Sequence, residues 1–307
     1  MTDHSDSRVA AQVIGGLGNQ LFAYAAGRGL AQRLGAELIL DCTRRLPGDR
    51  SFCLDRYAIR AQFRFDGPPK VRGRYFRLPG KLGTRVADAF HRMFPRTVEI
   101  DGRRFRVIED RQLFSYDTRF DSLRGSIYLK GGWQSFRYFE NAEDVIRSEL
   151  RPPAEPPAAN RKWLDRIRNA NSVCLHVRRG DYLARDNLER IGVCGPAYYA
   201  DAVTHICERI ESPAFFVFSD DLAWCRDNLP IEGMALVDAN GPDDPVNELR
   251  LMSACRHHVT ANSSLSWWAA WLASHPEQVV IAPQPWMSGE PSLEDFLPER
   301  WIKLPRS

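Results

Sequence analysis

Short apolar runs that end abruptly at glycine or polar residues are the feature that most constrains the fold of this chain. Residues 8–14 form the first such run, and the glycine-rich turn GGLG at residues 15–18 follows it. The pattern then predicts a helix over residues 19–34, ended by Gly35. An apolar stretch at residues 37–40 reads as the next strand. A strand, a glycine turn, a helix and a second strand together predict a parallel sheet.

The second half of the chain repeats this alternation. Strands are predicted at residues 172–177, 214–218, 235–238, 257–261 and 278–282, and helices at residues 196–210, 246–255 and 263–273. Between the halves, the stretch RPPAEPPAA predicts a stiff connection. We therefore expect an α/β fold with two Rossmann-like domains, residues 1–151 and 160–307, facing a central cleft that holds the site. The last helix is expected to pack back on the first domain.

Composition excludes several functional classes. The chain has 307 residues, of which 44% are hydrophobic and 26% charged, a balance typical of globular proteins. A net charge of +3 does not favour binding to nucleic acid. No apolar run is long enough to cross a bilayer, and the polar N-terminus is unlike a secretory signal, so a cytoplasmic location is expected. The seven cysteines are odd in number and none forms a CxxC pair, which favours buried reduced thiols over a zinc site or disulfides.

The first chemically suggestive segment is GGLGNQLFAY at residues 15–24. Gly16 and Gly18 would let a ligand approach the backbone, and Asn19 and Gln20 add amide groups at the turn. The segment is neither a Walker loop nor a dinucleotide fingerprint. A purely structural turn, with Asn19 capping the helix, is the alternative interpretation.

The second segment is HVRRGDY at residues 176–182, directly after a predicted strand. Adjacent arginines at a strand end suit a phosphate anion, since the guanidinium is a fixed fork of donors that keeps its charge. Arg178 and Arg179 are expected to face different ways, one reaching a ligand and the other pairing with a carboxylate such as Asp181. A structural arginine–aspartate pair is the alternative.

The third segment, FSDDLAW, follows another predicted strand and contains Ser219 and Asp220. A carboxylate here could accept hydroxyl or base-edge donors of a ligand, whereas Ser219 or Asp220 could instead cap the following helix. Paired aspartates also raise the question of a metal, but no metal site is expected.

The fourth segment is HHVTANSSLSWWAAWL at residues 257–272. Asn262, Ser263 and Ser264 open a predicted helix, and their side chains with the free backbone N–H groups would form a cradle for an anion. Its tryptophans are expected to pack in the core. The adjacent histidines point to opposite faces of a strand and therefore should not chelate one ion.

Together, in this order and over nearly the whole chain, these four segments resemble the bacterial α-1,2-fucosyltransferases of glycosyltransferase family 11. HVRRGDY is the most specific motif, and α-1,6- and protein O-fucosyltransferases share it in looser form. The resemblance implies a GT-B fold, in which the C-terminal half holds GDP-fucose and the N-terminal half shapes the acceptor side. It implies inverting transfer of L-fucose from GDP-β-L-fucose to the 2-hydroxyl of a terminal β-galactoside, without a metal or other cofactor. The acceptor would be a galactose-terminated oligosaccharide or a lipid-linked glycan.

The same resemblance assigns roles to single residues. Arg178 matches the arginine at the donor diphosphate, with His176 and Asp181 as its neighbours, and Ser263 and Ser264 match the phosphate-side loop. The N-terminal motif faces the sugar, so the candidate catalytic residues are Arg178, Asp181 and Asn19. Asp181 is the best carboxylate for a general base, but it could instead only orient Arg178, and a water relay stays open.

Three other hypotheses stay in view. An α-1,6- or protein O-fucosyltransferase would use the same donor, and a non-catalytic module would bind the nucleotide sugar without turnover. A basic amphipathic helix over residues 81–94 could rest peripherally on the inner membrane face, although packing on the first domain is the simpler interpretation.

Overall fold

The computed structural model describes residues 7–43, 51–73, 90, 93–152, 155–229, 231–241, 243–289 and 292–306. The chain divides into two compact units, the first formed by Met1–Phe52 and Ile59–Glu149 and the second by Cys53–Ala58 and Leu150–Ser307. Each unit contains a six-stranded sheet. The sequence pattern did not predict that residues 53–58 belong with the second unit.

The sheet of the first unit has the strand order β3-β2-β1-β6-β5-β4. Its strands are β1 Arg8–Gln12, β2 Glu37–Asp41, β3 Gln62–Arg64, β4 Thr97–Ile100, β5 Arg103–Glu109 and β6 Ile127–Lys130. All neighbours are parallel except the β4–β5 hairpin. The described helices of this unit are α1 Leu17–Leu34 and α2 Glu143–Glu149. The predicted βαβ opening is thereby confirmed.

The sheet of the second unit has the order β12-β11-β10-β7-β8-β9, and all its pairs are parallel. Its strands are β7 Ser172–Val177, β8 Ala214–Ser219, β9 Ala235–Leu236, β10 His257–Val259, β11 Val280–Gln284 and β12 Ile302–Pro305. Its described helices are α3 Ala158–Arg168, α4 Arg185–Arg190, α5 Pro196–Cys207, α6 Leu222–Asn228, α7 Pro245–Ser253 and α8 Ser264–Leu272. Counted from β7, this is the Rossmann order 3-2-1-4-5-6.

Element boundaries differ from the predictions in informative places. Helix α1 begins at Leu17 rather than Asn19, because the buried Leu17 side chain packs in the core although glycine disfavours helices. Strand β12, which pairs with β11, was not predicted from the sequence. Most of the predicted helix over residues 81–94 lies outside the described residues. No helix in the described part of the chain has the length and hydropathy to span a membrane.

Aromatic packing supports the end of the second unit. Trp267 and Trp268 are fully buried, and Trp271 stacks on Trp267 with ring centroids 6.2 Å apart. The indole of Trp267 donates a 2.8 Å hydrogen bond to the carbonyl of Phe296. The predicted core role of these tryptophans is confirmed.

The hexapeptide Cys53–Ala58 is anchored to the second unit by charge and by burial. Arg56 forms a 2.6 Å ion pair with Asp244, which caps α7. The neighbouring Tyr57 is 7% exposed. Because of these contacts, Cys53–Ala58 belongs to the second unit although it lies in the N-terminal half of the sequence.

A buried carboxylate ties the two ends of the first unit together. Glu149, the last residue of α2, accepts a 2.5 Å hydrogen bond from the hydroxyl of Tyr24 on α1. Arg28, also on α1, pairs with it at 3.1 Å, and the backbone N–H of Arg60 donates to it at 3.2 Å. Because these three partners bind the carboxylate, Glu149 can keep its charge although only 7% of the residue is exposed.

We expect Tyr24→Phe to lower the free energy of unfolding by about 2 kcal/mol, because it removes a buried hydrogen bond to a charged group. Urea unfolding followed by circular dichroism measures this. Tyr116→Phe is the matched control, since it removes a tyrosine–aspartate bond to Asp121 in a more exposed setting and should cost about half as much. Equal decreases in the free energy of unfolding of the two variants would show that the buried bond to Glu149 stabilises the protein no more than the exposed bond to Asp121.

Candidate functional site

The polar segments of the second unit lie where strand order reverses. From β7 the chain crosses to β8 on one side, whereas β10 lies on the other side. In parallel sheets of this kind, ligands bind at the carboxyl ends of the strands flanking such a switch point. Residues 178–182 follow β7 and residues 260–264 follow β10, and the Tyr182 hydroxyl donates to the Asn262 carbonyl at 3.3 Å. Two of the predicted segments therefore meet at this edge.

Arg178 is held at this edge by two carboxylates. Its Nη1 lies 2.9 Å from Oδ2 of Asp220, and its Nη2 pairs with Asp181. The guanidinium also sits over the Tyr182 ring, 5.4 Å from the centroid. Only 14% of the Arg178 side chain is exposed, so its charge is fixed in position rather than solvated.

Arg179 has other partners, as expected for adjacent arginines. Its guanidinium stacks over the Trp224 ring at 4.1 Å, and its Nε lies 3.4 Å from Oδ2 of Asp221. Asp181 pairs with Arg178, which agrees with the alternative in which it only orients that arginine, whereas Arg179 pairs with Asp221. Both arginines are paired with carboxylates.

Asp220 organises the turn after β7. Besides its ion pair with Arg178, its Oδ1 accepts the backbone N–H of Arg179 at 2.9 Å. A Cβ on Gly180 would lie 2.6 Å from Oδ2 of Asp220, so only glycine allows this close approach. The residue that caps α6 is Asp221, which accepts the N–H of Trp224 at 3.0 Å. The alternative interpretation, in which Ser219 or Asp220 caps this helix, is therefore wrong. Ser219 in turn accepts the N–H of Asp221 at 2.9 Å.

His176 is buried at the end of β7. Burial, with the nearby charge of Arg178, lowers its pKa to about 3, so the imidazole is neutral at physiological pH. Within the described residues, its Nδ1 has no hydrogen-bond partner. It can therefore act on a ligand as a neutral group but not as a cation.

The start of α8 carries the other half of this edge. Ser263 is the N-cap residue, and its side chain makes no capping hydrogen bond, so the first-turn N–H groups stay available for an acceptor. Ser264 opens the helix and is half-buried. The anion cradle at Ser263 and Ser264 stays a prediction with which this helix start is compatible.

Asn262 does not fit its predicted role in binding a ligand. It is 1% exposed, and its side-chain amide donates to the carbonyls of Ile191, Gly192 and Trp286 at 3.0–3.2 Å. Its side-chain donors are consumed by the fold, and its function is to hold the loops around α8.

The first unit has an analogous edge, where β1 is flanked by β2 and β6. Gly16 is the N-cap of α1 and Gly18 is buried in its first turn. Asn19 is half-buried and does not cap the helix, because α1 starts two residues earlier; its Oδ1 accepts from Gln134 at 2.9 Å. Gln20 is buried, and its amide donates to the carbonyls of Gly15 and Ser51. Gln20 therefore holds the turn rather than facing a ligand.

Two polar residues at this edge were missed by the sequence prediction, Asp110 after β5 and Gln134 after β6. The only signal that could have found them is their position just beyond a strand end. The arginine-rich region before Asp110 has weak periodicity, which hid strand β5.

The adjacent histidines of β10 bind different backbone groups. Nδ1 of His257 accepts the N–H of Val279, whereas Nε2 of His258 donates to the carbonyl of Met252. Within the described part of the chain, no group of three or more metal-ligating side chains is present. All seven cysteines are free thiols, and only Cys207 is exposed.

Related proteins identify the family. The sequence model described as glycosyl transferase family 11 matches residues 106–304. The chain belongs to glycosyl transferase family 11. This family 11 chain is 31% identical to a protein named alpha-1,2-colitosyltransferase from Escherichia coli, over 97% of this chain and 99% of that protein. A galactoside alpha-(1,2)-fucosyltransferase 1 from Leontocebus fuscicollis is 31% identical over 47% of this chain and 42% of that protein.

A solved structure supports the fold class. The family 11 chain superposes on NodZ alpha-1,6-fucosyltransferase, co-crystallized with GDP, with a TM-score of 0.51 and 14% sequence identity. The match covers 90% of this chain and 95% of that one. Two Rossmann-like units of GT-B type are thus confirmed, as is the resemblance on which the prediction of a glycosyltransferase rested.

Burial of His176 predicts a pH dependence of stability. His176 and the equally buried His258 have pKa values lowered to about 3 from the ordinary 6.5. Below pH 6.5 the unfolded chain binds protons that the native state does not. The contribution of these histidines to the free energy of unfolding is therefore complete above pH 6.5 and decreases as the pH falls toward 3. Each histidine should contribute about 1.4 kcal/mol per pH unit. Urea unfolding measured at several pH values should show that the free energy of unfolding falls less steeply with falling pH in His176→Gln and in His258→Gln than in the wild type. An unchanged pH dependence in both variants would contradict the assignment of neutral, buried histidines.

Proposed function

We propose that this family 11 glycosyltransferase moves L-fucose from GDP-β-L-fucose to the 2-hydroxyl of a terminal β-galactoside, with inversion and without a metal. The observation that carries the proposal is the fixed Arg178 guanidinium at the switch point, on the same side of the sheet as the uncapped start of α8. Glycosyl transfer leaves negative charge on the departing diphosphate. An arginine and helix-start N–H donors are the groups that stabilise such charge when no metal does so.

The two aspartates bound to Arg178 differ in a way that suits this role. The Asp220 side chain is 19% exposed and also holds the backbone, whereas the Asp181 side chain is 53% exposed. In the proposed complex, the diphosphate replaces Asp181 on Arg178, and Asp220 keeps the guanidinium in place. Asp181 then returns when GDP leaves.

The names of the relatives support the linkage more strongly than the donor. One relative is named for α-1,2 transfer of colitose and the other for α-1,2 transfer of fucose to a galactoside. Colitose lacks the 3-hydroxyl of fucose, so GDP-colitose is the second candidate donor. A site that binds the 3-hydroxyl through buried polar groups would reject colitose by about 10⁴-fold, whereas a site without such contacts would accept both sugars.

The decisive experiment is a screen of donors and acceptors. GDP-fucose and GDP-colitose are each offered with lactose, N-acetyllactosamine and a GlcNAc-terminated glycan, and the product linkage is determined by NMR. An α-1,2-fucosylated galactoside supports the proposal. Transfer to GlcNAc would favour the α-1,6 alternative, and GDP binding without GDP release would favour a binding module.

Arg178→Ala should lower the transfer rate by a few hundredfold, the effect of losing about 3–4 kcal/mol of transition-state stabilisation. GDP release in the presence of donor and acceptor measures the rate, and circular dichroism checks folding. Arg185→Ala is the matched control, because Arg185 is 90% exposed on α4 and pairs only at 3.5 Å with Glu189. Near-normal turnover by folded Arg178→Ala would remove the basis of the proposal.

Excess EDTA should leave the transfer rate unchanged, since Arg178 and the start of α8 supply the positive charge that a divalent ion would otherwise provide. The measurement compares initial rates before and after dialysis against chelator. Loss of activity that manganese or magnesium restores would refute metal independence.

A further inference from the structure

Tyr182 connects the loop after β7 with the loop before α8, both in the second unit. It lies in the turn Gly180–Leu183 and is half-buried. The centroid of its ring is 5.4 Å from Cζ of Arg178, and its hydroxyl donates to the carbonyl of Asn262 at 3.3 Å. Because β7 and β10 are neighbouring parallel strands, the two loops lie on the same side of the sheet. One side chain thus contacts both the candidate cation and the residue that precedes the N-cap of α8.

The ring holds Arg178 without using its hydrogen-bond donors. Nη1 of the guanidinium pairs with Asp220 at 2.9 Å, and Nη2 pairs with Asp181. The Tyr182 ring attracts the same cation through the negative charge of its π face. Since such a contact occupies none of the N–H groups of the guanidinium, these stay free to exchange one anion for another.

The exchange proposed above makes this contact more important when the ligand is bound. A diphosphate that replaces Asp181 on Arg178 removes one of the carboxylates that order the guanidinium. Asp220 and the Tyr182 ring then remain. A guanidinium held by Asp220 alone would keep rotational freedom about that pair, and the loss of this freedom on binding would cost free energy.

The residue to which the Tyr182 hydroxyl is bound has a fixed position. Asn262 is 1% exposed, and its side-chain amide donates to the carbonyls of Ile191 and Trp286 at 3.2 and 3.0 Å. The carbonyl that accepts the Tyr182 hydroxyl belongs to the peptide group that leads into Ser263, the N-cap of α8. The hydroxyl therefore ties the ring to the start of a helix whose N-cap side chain makes no capping bond.

The turn that carries Tyr182 is held by other groups. The backbone N–H of Leu183 donates to the carbonyl of Arg179 at 3.0 Å, and the side-chain amide of Asn187 donates to the carbonyl of Asp181 at 2.8 Å. Neither bond involves the Tyr182 side chain. Its ring and hydroxyl therefore serve the contacts to Arg178 and Asn262 rather than the local conformation of the turn.

We propose that Tyr182 is a positioning residue, which holds the Arg178 guanidinium at a fixed separation from the start of α8 so that both bind one nucleotide diphosphate. This inference rests on the proposed function. A diphosphate has oxygens on two phosphorus atoms, and it binds two donor groups at once only when their separation matches its own span. Tyr182 contacts no reacting atom, and its effect on transfer passes through Arg178.

The first test compares nucleotides with and without phosphates by isothermal titration calorimetry on the full chain. Tyr182→Phe keeps the ring but loses the bond to Asn262, and should weaken GDP binding about fivefold. Tyr182→Leu loses both contacts and should weaken it about twentyfold. Guanosine, which lacks the phosphates, should bind the wild type and both variants equally. Leu183→Ala is the matched control, because this neighbouring side chain is 42% exposed, and it should bind GDP as the wild type does.

A double-mutant cycle tests whether Tyr182 acts through Arg178. In the Arg178→Ala background, Tyr182→Leu should weaken GDP binding by less than about fivefold, because no guanidinium is left to position. Circular dichroism checks folding, and Tyr182→Phe covers the case in which Tyr182→Leu does not fold. Additive losses in the cycle, equal losses for GDP and guanosine, or wild-type GDP affinity in the folded variants would overturn the role of Tyr182. A wild type that binds no GDP would instead refute the proposed function, and this inference with it.

Discussion

In both units, the backbone N–H groups just beyond the carboxyl end of a parallel strand need hydrogen-bond partners outside the sheet. Because neighbouring strands of a parallel sheet run in the same direction, their carboxyl ends lie along one side of the sheet, where the chain must turn without a further strand to bind. In the second unit, Asp220 accepts the backbone N–H that follows β7. In the first unit, Asp110 accepts N–H groups from two adjoining loops. An aspartate at a strand end thus completes the fold and lies where a ligand would bind.

The same arrangement explains why Arg178 is suited to stabilising a leaving anion. A guanidinium that moved freely would have to be ordered in each reaction cycle, which costs free energy. Asp220 and the Tyr182 ring order it in advance, and Gly180 makes the approach of Asp220 sterically allowed. A second, more exposed partner leaves the cation accessible to a competing anion.

Residue type and strand position together made much of the second unit predictable. Arg178, Ser263 and the strands that present them follow from apolar runs that end at polar residues, a local pattern. The roles of Asn262 and Gln20 were predicted wrongly, because their side-chain amides bind carbonyl groups that are distant in sequence. A local sequence pattern does not show such contacts. Asp110 was missed because strand β5 belongs to a hairpin with charged residues on both strands, so its periodicity is weak.

The hexapeptide Cys53–Ala58 has a consequence for how this protein can be divided. The first unit is interrupted in sequence, so the polypeptide passes from one unit to the other three times. A cut after Glu149 would leave Arg56 and Tyr57 on the N-terminal fragment, severed from Asp244. That fragment would expose a buried tyrosine, and the C-terminal fragment would lack part of its own covering. Autonomous expression of either half therefore requires moving six residues across the cut, and a fragment-complementation design has to be drawn along these discontinuous boundaries.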